Sequence, residues 1–482
     1  MLVQSKKSKT FSLLKSRLYS NSKVEDILLK AVRDGFNNAE VFIEKTETAI
    51  WETRSLKGNP ELQKSNDQGI SVRVWSGRHC GFSAIPAISD EALEKCYERA
   101  KFKIASLRTI NSNKKKRFEL INEWKSAKMN EWSGLSDVGP QIVGYLSNQQ
   151  LGNVENLWSQ VWNRVQDIEI ISTINPPVYE KRTRSHVFLE LFDNHEHVVE
   201  RALSWSCAPP HNLEKHIEEI KRECCRVFRD SKKRIKIPCG RSNIVFGEEL
   251  GSTFFHEMIG HFAEAHPLNG TYKLWPCFST NKVLIKDDPT IKGGIGSQVF
   301  DDEGTPTKPT VIYGKSNRLG DPKPLTDFTT HLRYNLPLTG SARRQSFRCP
   351  VMPRMSNLVI EGVNLSTSDL IKNVGNGVYV QKVGHSFIDP TTNDLIIEAR
   401  EGYTFKSGDL FEPLQPFICR IPFHHALDIT KAVAVDSDSS TIDGIWCEKF
   451  GSTIQVGIGR SSILIDPVEV ISGSLTSNAI KL

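Results

Sequence analysis

The chain has 482 residues, of which 38% are hydrophobic and 24% are charged, and its formal net charge is +6. This composition is ordinary for a globular protein and predicts two to four domains with ample core. The small positive charge gives no argument for a nucleic-acid partner, and the absence of a run of about 18 apolar residues argues against a membrane span.

The first predicted segment is a basic N-terminus over residues 1–22. It carries five basic residues and no acidic residue. Its apolar residues form no continuous stretch, which disfavours a secretory signal. A flexible terminus is the favoured interpretation, with a mitochondrial targeting segment as the alternative. The ten cysteines include no C-x-x-C pair, which indicates a reducing, cytoplasmic environment with mostly buried thiols.

Residues 23–235 are predicted to form a mixed α/β N-terminal domain. Helical spacing of apolar residues predicts a helix over 24–34 that ends at Gly35, and a second over 90–104 with Ser89 or Asp90 as its N-cap. Alternating or continuous apolar runs predict strands over 39–44, 70–75 and 81–85. Farther along, the patterns predict helices over 141–165 and 213–228 and strands over 168–173 and 186–192.

The pattern changes in the predicted C-terminal domain, residues 236–482. Short strand patterns separated by Gly, Pro and Asp turns dominate it, and they surround one helix at about 249–265. The predicted fold class is therefore α+β, with a mixed α/β N-terminal domain followed by a β-rich C-terminal domain that carries the helix of the candidate site.

That helix contains two histidines and a carboxylate, in the order His256, Glu257 and His261. Neutral imidazoles bind zinc, and a neighbouring carboxylate can take a proton from water. The familiar H-E-x-x-H motif places its histidines four apart, whereas a five-residue step turns the second side chain about 140° from the first. We therefore expect an irregular helix at 256–261, such as a π-bulge deforming at Gly260, or a helix that ends there.

A catalytic zinc site also needs a third protein ligand. His266 and Glu264 are candidates by proximity, and Glu264 could instead hold a histidine tautomer without touching the metal. Spacing alone does not choose between these roles. It also does not separate a metal site from surface or core histidines that form the same string by chance.

The wider sequence resembles the TldD/PmbA family of metallopeptidases, in particular its catalytic TldD-like branch. Residues 256–264 are similar to the family's H-E-x-x-G-H-x-x-E segment. Further similar segments follow in order: F-D-D-E-G-T at 300–305, R-R-Q-S at 343–346, M-P-R-M-S-N at 352–357, and a cysteine at 447 followed by V-G-I-G at 456–459. Together with segments at 39–42 and 69–74, the resemblance covers roughly residues 24–472.

The resemblance implies Zn²⁺ held by His256, His261 and Cys447, with Glu257 as the general base. It implies hydrolysis of unfolded or short peptides, including leader segments of ribosomally made peptides, and a strand-rich domain could hold such a peptide by main-chain pairing. It further implies a dimer, either a homodimer or a heterodimer with a related subunit. No nucleic-acid or membrane partner is expected.

Two positions depart from the family pattern. Gln345 stands where the family usually has glutamate, and Trp446 is bulkier than the small residue expected beside the cysteine. Both departures bear on substrate choice rather than on the metal.

Two other function classes compete with a peptidase. One is a non-catalytic modulator subunit, which echoes the family's older association with DNA gyrase. The other is a structural zinc domain. The first would not need the set of His256, Glu257, His261 and Cys447, and the second usually needs four protein ligands.

Overall fold

The computed structural model describes residues 18–54, 61–105, 125–128, 154–193, 196–206, 213–265, 283–314, 320–361, 365–389, 391–392, 394–422, 430–435 and 442–473. This part of the chain contains helices and extensive sheets, which confirms the α+β class. Among its helices, none combines the length and the apolar character needed to cross a bilayer.

The first sheet has seven strands in the order β3-β2-β1-β5-β6-β4, with β7 also paired to β6. Two helices, α1 (Asn21–Arg33) and α2 (Asp90–Ala105), pack on one of its faces. Its strands are β1 (Asn38–Thr53), β2 (Glu61–Ser76), β3 (His79–Ile85), β4 (Lys125–Lys128), β5 (Val154–Ser172), β6 (Val178–Asp193) and β7 (Glu196–Ser206).

The two predicted helix ends in this region are confirmed. The Oγ of Ser89 accepts a hydrogen bond from the backbone N–H of Ala92 at 3.1 Å, as an N-cap does. Gly35 follows α1 with φ of 85°, the left-handed conformation that commonly ends helices.

Strand β1 is buried on both faces, but the faces differ in chemistry. Because side chains alternate along a strand, Val41 and Ile43 join the apolar core under α1 and α2, while Glu40 and Glu44 lie on the opposite face. Both carboxylates are 1% exposed. The C-terminal half of the chain covers them, since Glu44 accepts a hydrogen bond from the backbone N–H of Phe347 at 2.6 Å.

The helix predicted over 141–165 is wrong where the structure describes it. Residues 154–165 belong to β5, which pairs with β1 on one side and with β6 on the other along nearly its whole length. The helix-like spacing of Val154, Leu157 and Val161 is outweighed by two ladders of backbone hydrogen bonds and by the β-favouring Trp and Val residues of the segment. Residues 141–153 lie outside the described part of the chain.

The C-terminal half forms two further sheets and a short ribbon. Five strands are ordered β10-β9-β13-β20-β19, and seven are ordered β14-β8-β21-β17-β15-β16, with β18 on β21 and with β14 also paired to β15, so that five strands close into a ring. The strands are β8 (Gly240–Phe246), β9 (Leu284–Asp287), β10 (Thr310–Tyr313), β11 (Ala342–Arg343), β12 (Met352–Pro353), β13 (Asn357–Glu361), β14 (Gly377–Ile388), β15 (Asp394–Lys406), β16 (Asp409–Pro413), β17 (Phe417–Pro422), β18 (Thr430–Val435), β19 (Ile442–Lys449), β20 (Ser452–Gly459) and β21 (Ser461–Ser472).

In the described ranges, six helical segments accompany these strands. The segment that continues from α4 into a π-helical turn packs between the two sheets, because Phe254 and Met258 share one apolar core with Val456 of β20 and Ile463 of β21. The segments are α3 (Leu213–Ser231), α4 (Glu248–Phe255), the π-helical turn (His256–Gly260), α5 (His261–Ala263), α6 (Phe328–Tyr334) and α7 (Thr367–Val374).

The domain division remains a prediction. The described strands before residue 207 all belong to the first sheet and those after residue 239 to the others, and the boundary at 235/236 stays a prediction. Residues 1–17 of the basic N-terminus lie outside the described part.

Buried ion pairs join the first sheet to the C-terminal half. Arg73 of β2 lies 2.5 Å from Glu40 of β1 and 2.7 Å from Glu303, and all three side chains are at most 3% exposed. Replacing Arg73 by Ala leaves buried carboxylates without this partner, so we expect the free energy of unfolding to fall by about 3–5 kcal/mol in urea titrations.

The matched control is Arg348→Ala, which breaks an ion pair with Asp67 in which both side chains are nearly half exposed. It should change the free energy of unfolding by at most about 1 kcal/mol. Equal effects of the two substitutions would show that burial does not set the strength of the Arg73 contacts.

Candidate metal centre

The helix that carries the histidines changes its winding between them. The chain leaves α4 at Phe255, forms a π-helical turn over His256–Gly260 and resumes as α5 at His261. The backbone N–H of His261 donates to the carbonyl of His256, which is the i→i+5 bond of a π-turn. The two imidazole centroids are therefore only 4.8 Å apart. The prediction of an irregular helix at 256–261 is confirmed.

Gly260 is required by packing rather than by backbone strain. Its φ is −59°, an ordinary right-handed helical value. A Cβ at this position would lie 2.0 Å from the Sδ of Met355, far inside contact distance. The expectation that Gly260 eases the deformation of the helix stays a prediction, and the close approach of Met355 is the reason that the structure shows for a glycine here.

The two histidines meet a cysteine from the distant strand β19. The Sγ of Cys447 lies 3.3 Å from Nε2 of His256 and 3.4 Å from Nε2 of His261. One ligand atom from each residue lies within 4.8 Å of the others. His256 and Cys447 are buried, and His261 is partly exposed. The structure thus brings together the three residues that the resemblance implied, which we call the His-His-Cys cluster.

The donors of the His-His-Cys cluster fit a zinc ion. Zinc binds imidazole nitrogen at about 2.0–2.1 Å and thiolate sulfur at about 2.3 Å, so that two ligands of a tetrahedral site lie roughly 3.5 Å apart. The observed nitrogen–sulfur distances of 3.3 Å and 3.4 Å are close to this value. Three protein ligands leave one coordination position for a substrate or water, as in catalytic sites.

Glu264 occupies the supporting role rather than that of a ligand. Its Oε2 lies 3.1 Å from Nδ1 of His261, on the ring edge opposite Cys447. A carboxylate at Nδ1 keeps the proton there and leaves Nε2 free to face a metal. His256 differs, since its buried Nδ1 has no hydrogen-bond partner in the described part of the chain. The remaining candidate, His266, lies outside the described residues.

Cations hold Glu264 in place. Its carboxylate is fully buried and lies 2.5 Å from Nζ of Lys449 and 3.6 Å from Nε of Arg354. It also accepts the backbone N–H of Met355 at 3.1 Å. The guanidinium of Arg354 in turn donates to the carbonyl of Cys447 at 2.7 Å. The same network therefore fixes the orientation of His261 and the position of the strand that carries Cys447.

The electrostatics of the cluster favour a thiolate. Burial alone raises the pKa of a cysteine thiol, as it does for Cys419, whose pKa rises to about 12. Burial acts on Cys447 too, but the charge of His256 and hydrogen bonds from both imidazoles outweigh it and lower the pKa to about 4. Burial would lower the pKa of His261, yet Glu264 and Cys447 raise it to about 10, so metal binding at Nε2 would displace a proton. The thiolate is the form that binds zinc.

Glu257 lies beside the cluster and reaches solvent. Its Oε2 is 4.0 Å from Nε2 of His261, and about a quarter of its side chain is exposed. The carboxylate therefore sits on the side of the imidazole that faces the ligand atoms, where it can accept a proton from a water molecule at the cluster.

Sequence reasoning missed Lys449 and Arg354. Arg354 lies in the M-P-R-M-S-N segment, which we noted without assigning a role. Lys449 stands two residues after Cys447, so the period of two along a strand would have placed it on the same face. The sequence could not have shown that both side chains converge on Glu264.

Two segments of the chain match one protein family. Residues 239–472 match the PmbA/TldA metallopeptidase C-terminal domain, and residues 39–102 match the PmbA/TldA metallopeptidase domain 1. The chain is 24% identical over 427 residues to a metalloprotease TldD homolog of Buchnera aphidicola, covering 84% of this chain and 86% of the relative. A zinc metalloprotease TldD homolog of Saccharolobus solfataricus is 28% identical over 240 residues, 48% of this chain and 52% of that one.

The fold is also that of a solved structure. TldE from Thermococcus kodakarensis superposes with a TM-score of 0.68 and 13% sequence identity, covering 93% of this chain and all of that chain (100%). At this identity the likeness concerns the fold alone.

Glu264→Gln tests the supporting carboxylate. The substitution keeps the shape of the side chain but removes the charge that orients His261, so we expect zinc affinity to fall about 10–100-fold in a chelator-competition titration. Glu257→Gln serves as the control and should leave the affinity unchanged. If both variants bind zinc equally, Glu264 does not orient the ligand.

Gly260→Ala tests the contact with Met355. The added methyl group must displace the Sδ of Met355, and overpacking of this kind lowers the free energy of unfolding by about 1–3 kcal/mol. Urea unfolding of a double-mutant cycle with Met355→Ala measures the coupling. A cost that persists unchanged without the Met355 side chain would contradict the steric explanation.

Proposed function

The chain belongs to the PmbA/TldD family of metallopeptidases, and we propose that within this family it is a zinc-dependent peptidase that hydrolyses unfolded or short peptides. The observation that carries the proposal is the convergence of His256, His261 and Cys447 beside the carboxylate of Glu257. A relative named a zinc metalloprotease supports the choice of metal.

The proposed chemistry assigns a role to each residue. His256, His261 and Cys447 would hold the zinc ion, which when bound would polarise a carbonyl and lower the pKa of water. Glu257 takes the proton from the attacking water and passes it to the leaving amine. Glu264, with Lys449 and Arg354 around it, keeps Nε2 of His261 directed at the cluster.

The sheet order supports an extended peptide as the substrate. Among the described strands, β19 pairs with β20 only and ends the order of its sheet, and β7 of the first sheet lies close to it. A peptide added there as a further strand would run beside Cys447. Recognition through the main chain selects unfolded segments, and leader segments of ribosomally made peptides are one such class.

The set of four residues also favours a peptidase over the alternatives. A non-catalytic modulator subunit would need neither three converging ligands nor Glu257. For the assembly, we propose a dimer, formed with a second copy of this chain or with a related subunit. Analytical ultracentrifugation of the purified chain distinguishes the two, because a homodimer forms without any other protein.

Glu257→Gln tests the mechanism. Because the variant keeps all three ligands, its zinc content measured by mass spectrometry should equal that of the native chain. Its kcat on an unfolded peptide should fall by a factor of about 100 to 10,000, the usual contribution of a general base. Glu91→Gln, an exposed position on α2, is the matched control and should retain full activity.

Two results would count against the proposal. Equal cleavage by the native chain and by Glu257→Gln would exclude Glu257 as the base. A preference for intact folded proteins over unfolded peptides would exclude the proposed substrate class.

A further inference from the structure

A cavity lies between the first sheet and the C-terminal half, close to the His-His-Cys cluster. Five guanidinium groups and a single carboxylate line it, those of Arg164, Arg182, Arg184, Arg343, Arg344 and Asp302. Its volume is about 30 Å³, larger than the roughly 10–15 Å³ that one water molecule requires. The cavity therefore has room for a group of a few atoms and an excess of positive charge.

Ion pairs neutralise only part of this charge. Three of the five arginines have carboxylate partners: Arg164 with Glu44 at 3.2 Å, Arg182 with Asp302 at 2.5 Å, and Arg344 with Glu40 at 2.9 Å. Both carboxylate oxygens of Asp302 already have partners, because the second oxygen accepts a hydrogen bond from the backbone N–H of Arg344 at 2.7 Å.

The other two arginines bind only neutral oxygens within the described part of the chain. Arg184 donates to the carbonyl of Ile295 at 3.1 Å and to Oε1 of Gln166 at 3.2 Å. Arg343 donates to the carbonyl of Met355 and, at 2.9 Å, to that of Gln455. Arg343 is buried and Arg184 is partly exposed. A cation removed from water without a counter-ion is costly, so the charge of these two guanidinium groups is not fully compensated.

The pKa values agree with this geometry. Burial and the neighbouring Arg182, Arg343 and Arg164 lower the pKa of Arg184 to about 9. Burial lowers the pKa of Arg343 to about 10, against the opposing effect of Asp302. Both groups remain cations at neutral pH, and an anion placed between them would be stabilised by their charge.

A second, independent feature is the side chain of Gln298, which lines the same cavity and is 3% exposed. Neither its amide nitrogen nor its amide oxygen has a hydrogen-bond partner among the residues that the structure describes. Most buried polar side-chain atoms in proteins are paired, so this amide, with one donor group and one acceptor, can bind a ligand that the described residues do not supply.

The cavity is connected to the metal centre through adjacent residues. Trp446, which lines it, directly precedes Cys447 on β19. Arg343, another lining residue, binds the carbonyl of Met355, whose side chain packs against Gly260 of the π-turn. A ligand in the cavity would therefore lie next to the residues that hold the metal ligands.

We propose that this cavity binds a carboxylate of the peptide substrate, held by Arg184 and Arg343 and by the amide of Gln298. The inference rests on the proposed peptidase function and adds an anionic group to its substrate class. A carboxylate suits the site because its two oxygens can accept from two guanidinium groups at once and because the volume is small. The group is either the peptide's C-terminus or an Asp or Glu side chain.

Gln345 is an exposed, neutral residue in the lining of the cavity. Its Oε1 accepts the backbone N–H of Thr453 at 3.0 Å, and both residues line the cavity. A carboxylate in this place would bring a negative charge into the lining and compete with a bound anion. Gln345→Glu is therefore a nearly isosteric substitution that should weaken carboxylate binding.

Calorimetric titration of the zinc-free chain tests the site with two pairs of probes. The first pair is acetyl-tetraalanine with a free C-terminus and its C-terminal amide. The second pair is an amidated acetyl-tetrapeptide containing one Glu and its Gln counterpart. We expect the native chain to bind the carboxylate member of one pair about tenfold more tightly, a ratio typical of charge-assisted hydrogen bonds. The pair that shows the preference identifies the source of the carboxylate.

The variants decide whether the cavity is responsible. Arg184→Gln and Gln345→Glu should reduce the tenfold preference to near unity, while binding of the uncharged probes stays the same. Arg78→Gln removes the same charge from an exposed turn and should retain the full preference. The proposal is overturned if the native chain shows no preference in either pair, or if Arg184→Gln keeps it.

Because these titrations use neither zinc nor cleavage, they fail independently of the proposed peptidase activity. Loss of the carboxylate preference would leave the effect of Glu257→Gln on cleavage intact. Conversely, unaltered cleavage by Glu257→Gln would leave the binding result standing.

Discussion

The buried carboxylate of Glu264 contacts both parts of the chain that form the His-His-Cys cluster. It lies 3.1 Å from Nδ1 of His261 and 2.5 Å from Nζ of Lys449, which is two residues from Cys447 on β19. Burial of this carboxylate raises its pKa, but His261 and Lys449 outweigh burial and hold the pKa well below its usual range. A charged, fully buried carboxylate is tolerated only with such partners. The helix and the strand are consequently fixed to each other by one group.

The π-helical turn is the second constraint, and it acts on the spacing of the ligands. In an undistorted α-helix, His256 and His261 would point about 140° apart. The π-turn places both Nε2 atoms within reach of one sulfur. Met355 packs against the turn at Gly260 and also donates its backbone N–H to Glu264. The turn and the charge network therefore share a residue, so a change in one should alter the other.

Buried polar groups and a small apolar cluster form the contact between the first sheet and the C-terminal half. Glu40 and Glu44 of β1 face it, and most of the arginines around them are paired with carboxylates. Arg184 and Arg343 stand out because their acceptors are neutral. A network that served stability alone would be expected to pair them as well. Their position beside Trp446 and the metal ligands explains why we assign this part of the interface to substrate rather than to folding.

The sequence alone determined the local elements and the residue types of the site. Strong apolar periodicity gave α1, α2 and α3 and the strands around them, and the five-residue step between the histidines required a distorted helix. The prediction from sequence was wrong at β5. Its apolar residues have helical spacing, but the segment forms a strand because it pairs with β1 and β6 in the tertiary structure. The late cysteine entered only through the ordered motifs of a family, because no property of an isolated thiol marks it as a ligand.

Only the tertiary structure decided which side chains meet. It distinguished Glu264 as a supporting carboxylate from Glu264 as a ligand, since that choice depends on which imidazole nitrogen it faces. It showed that Gly260 permits the close approach of Met355, which is 95 residues away along the chain. It also left Arg184 and Arg343 without carboxylate partners among the described residues. Charge compensation and close packing are properties of distances between remote residues, and a one-dimensional pattern does not contain those distances.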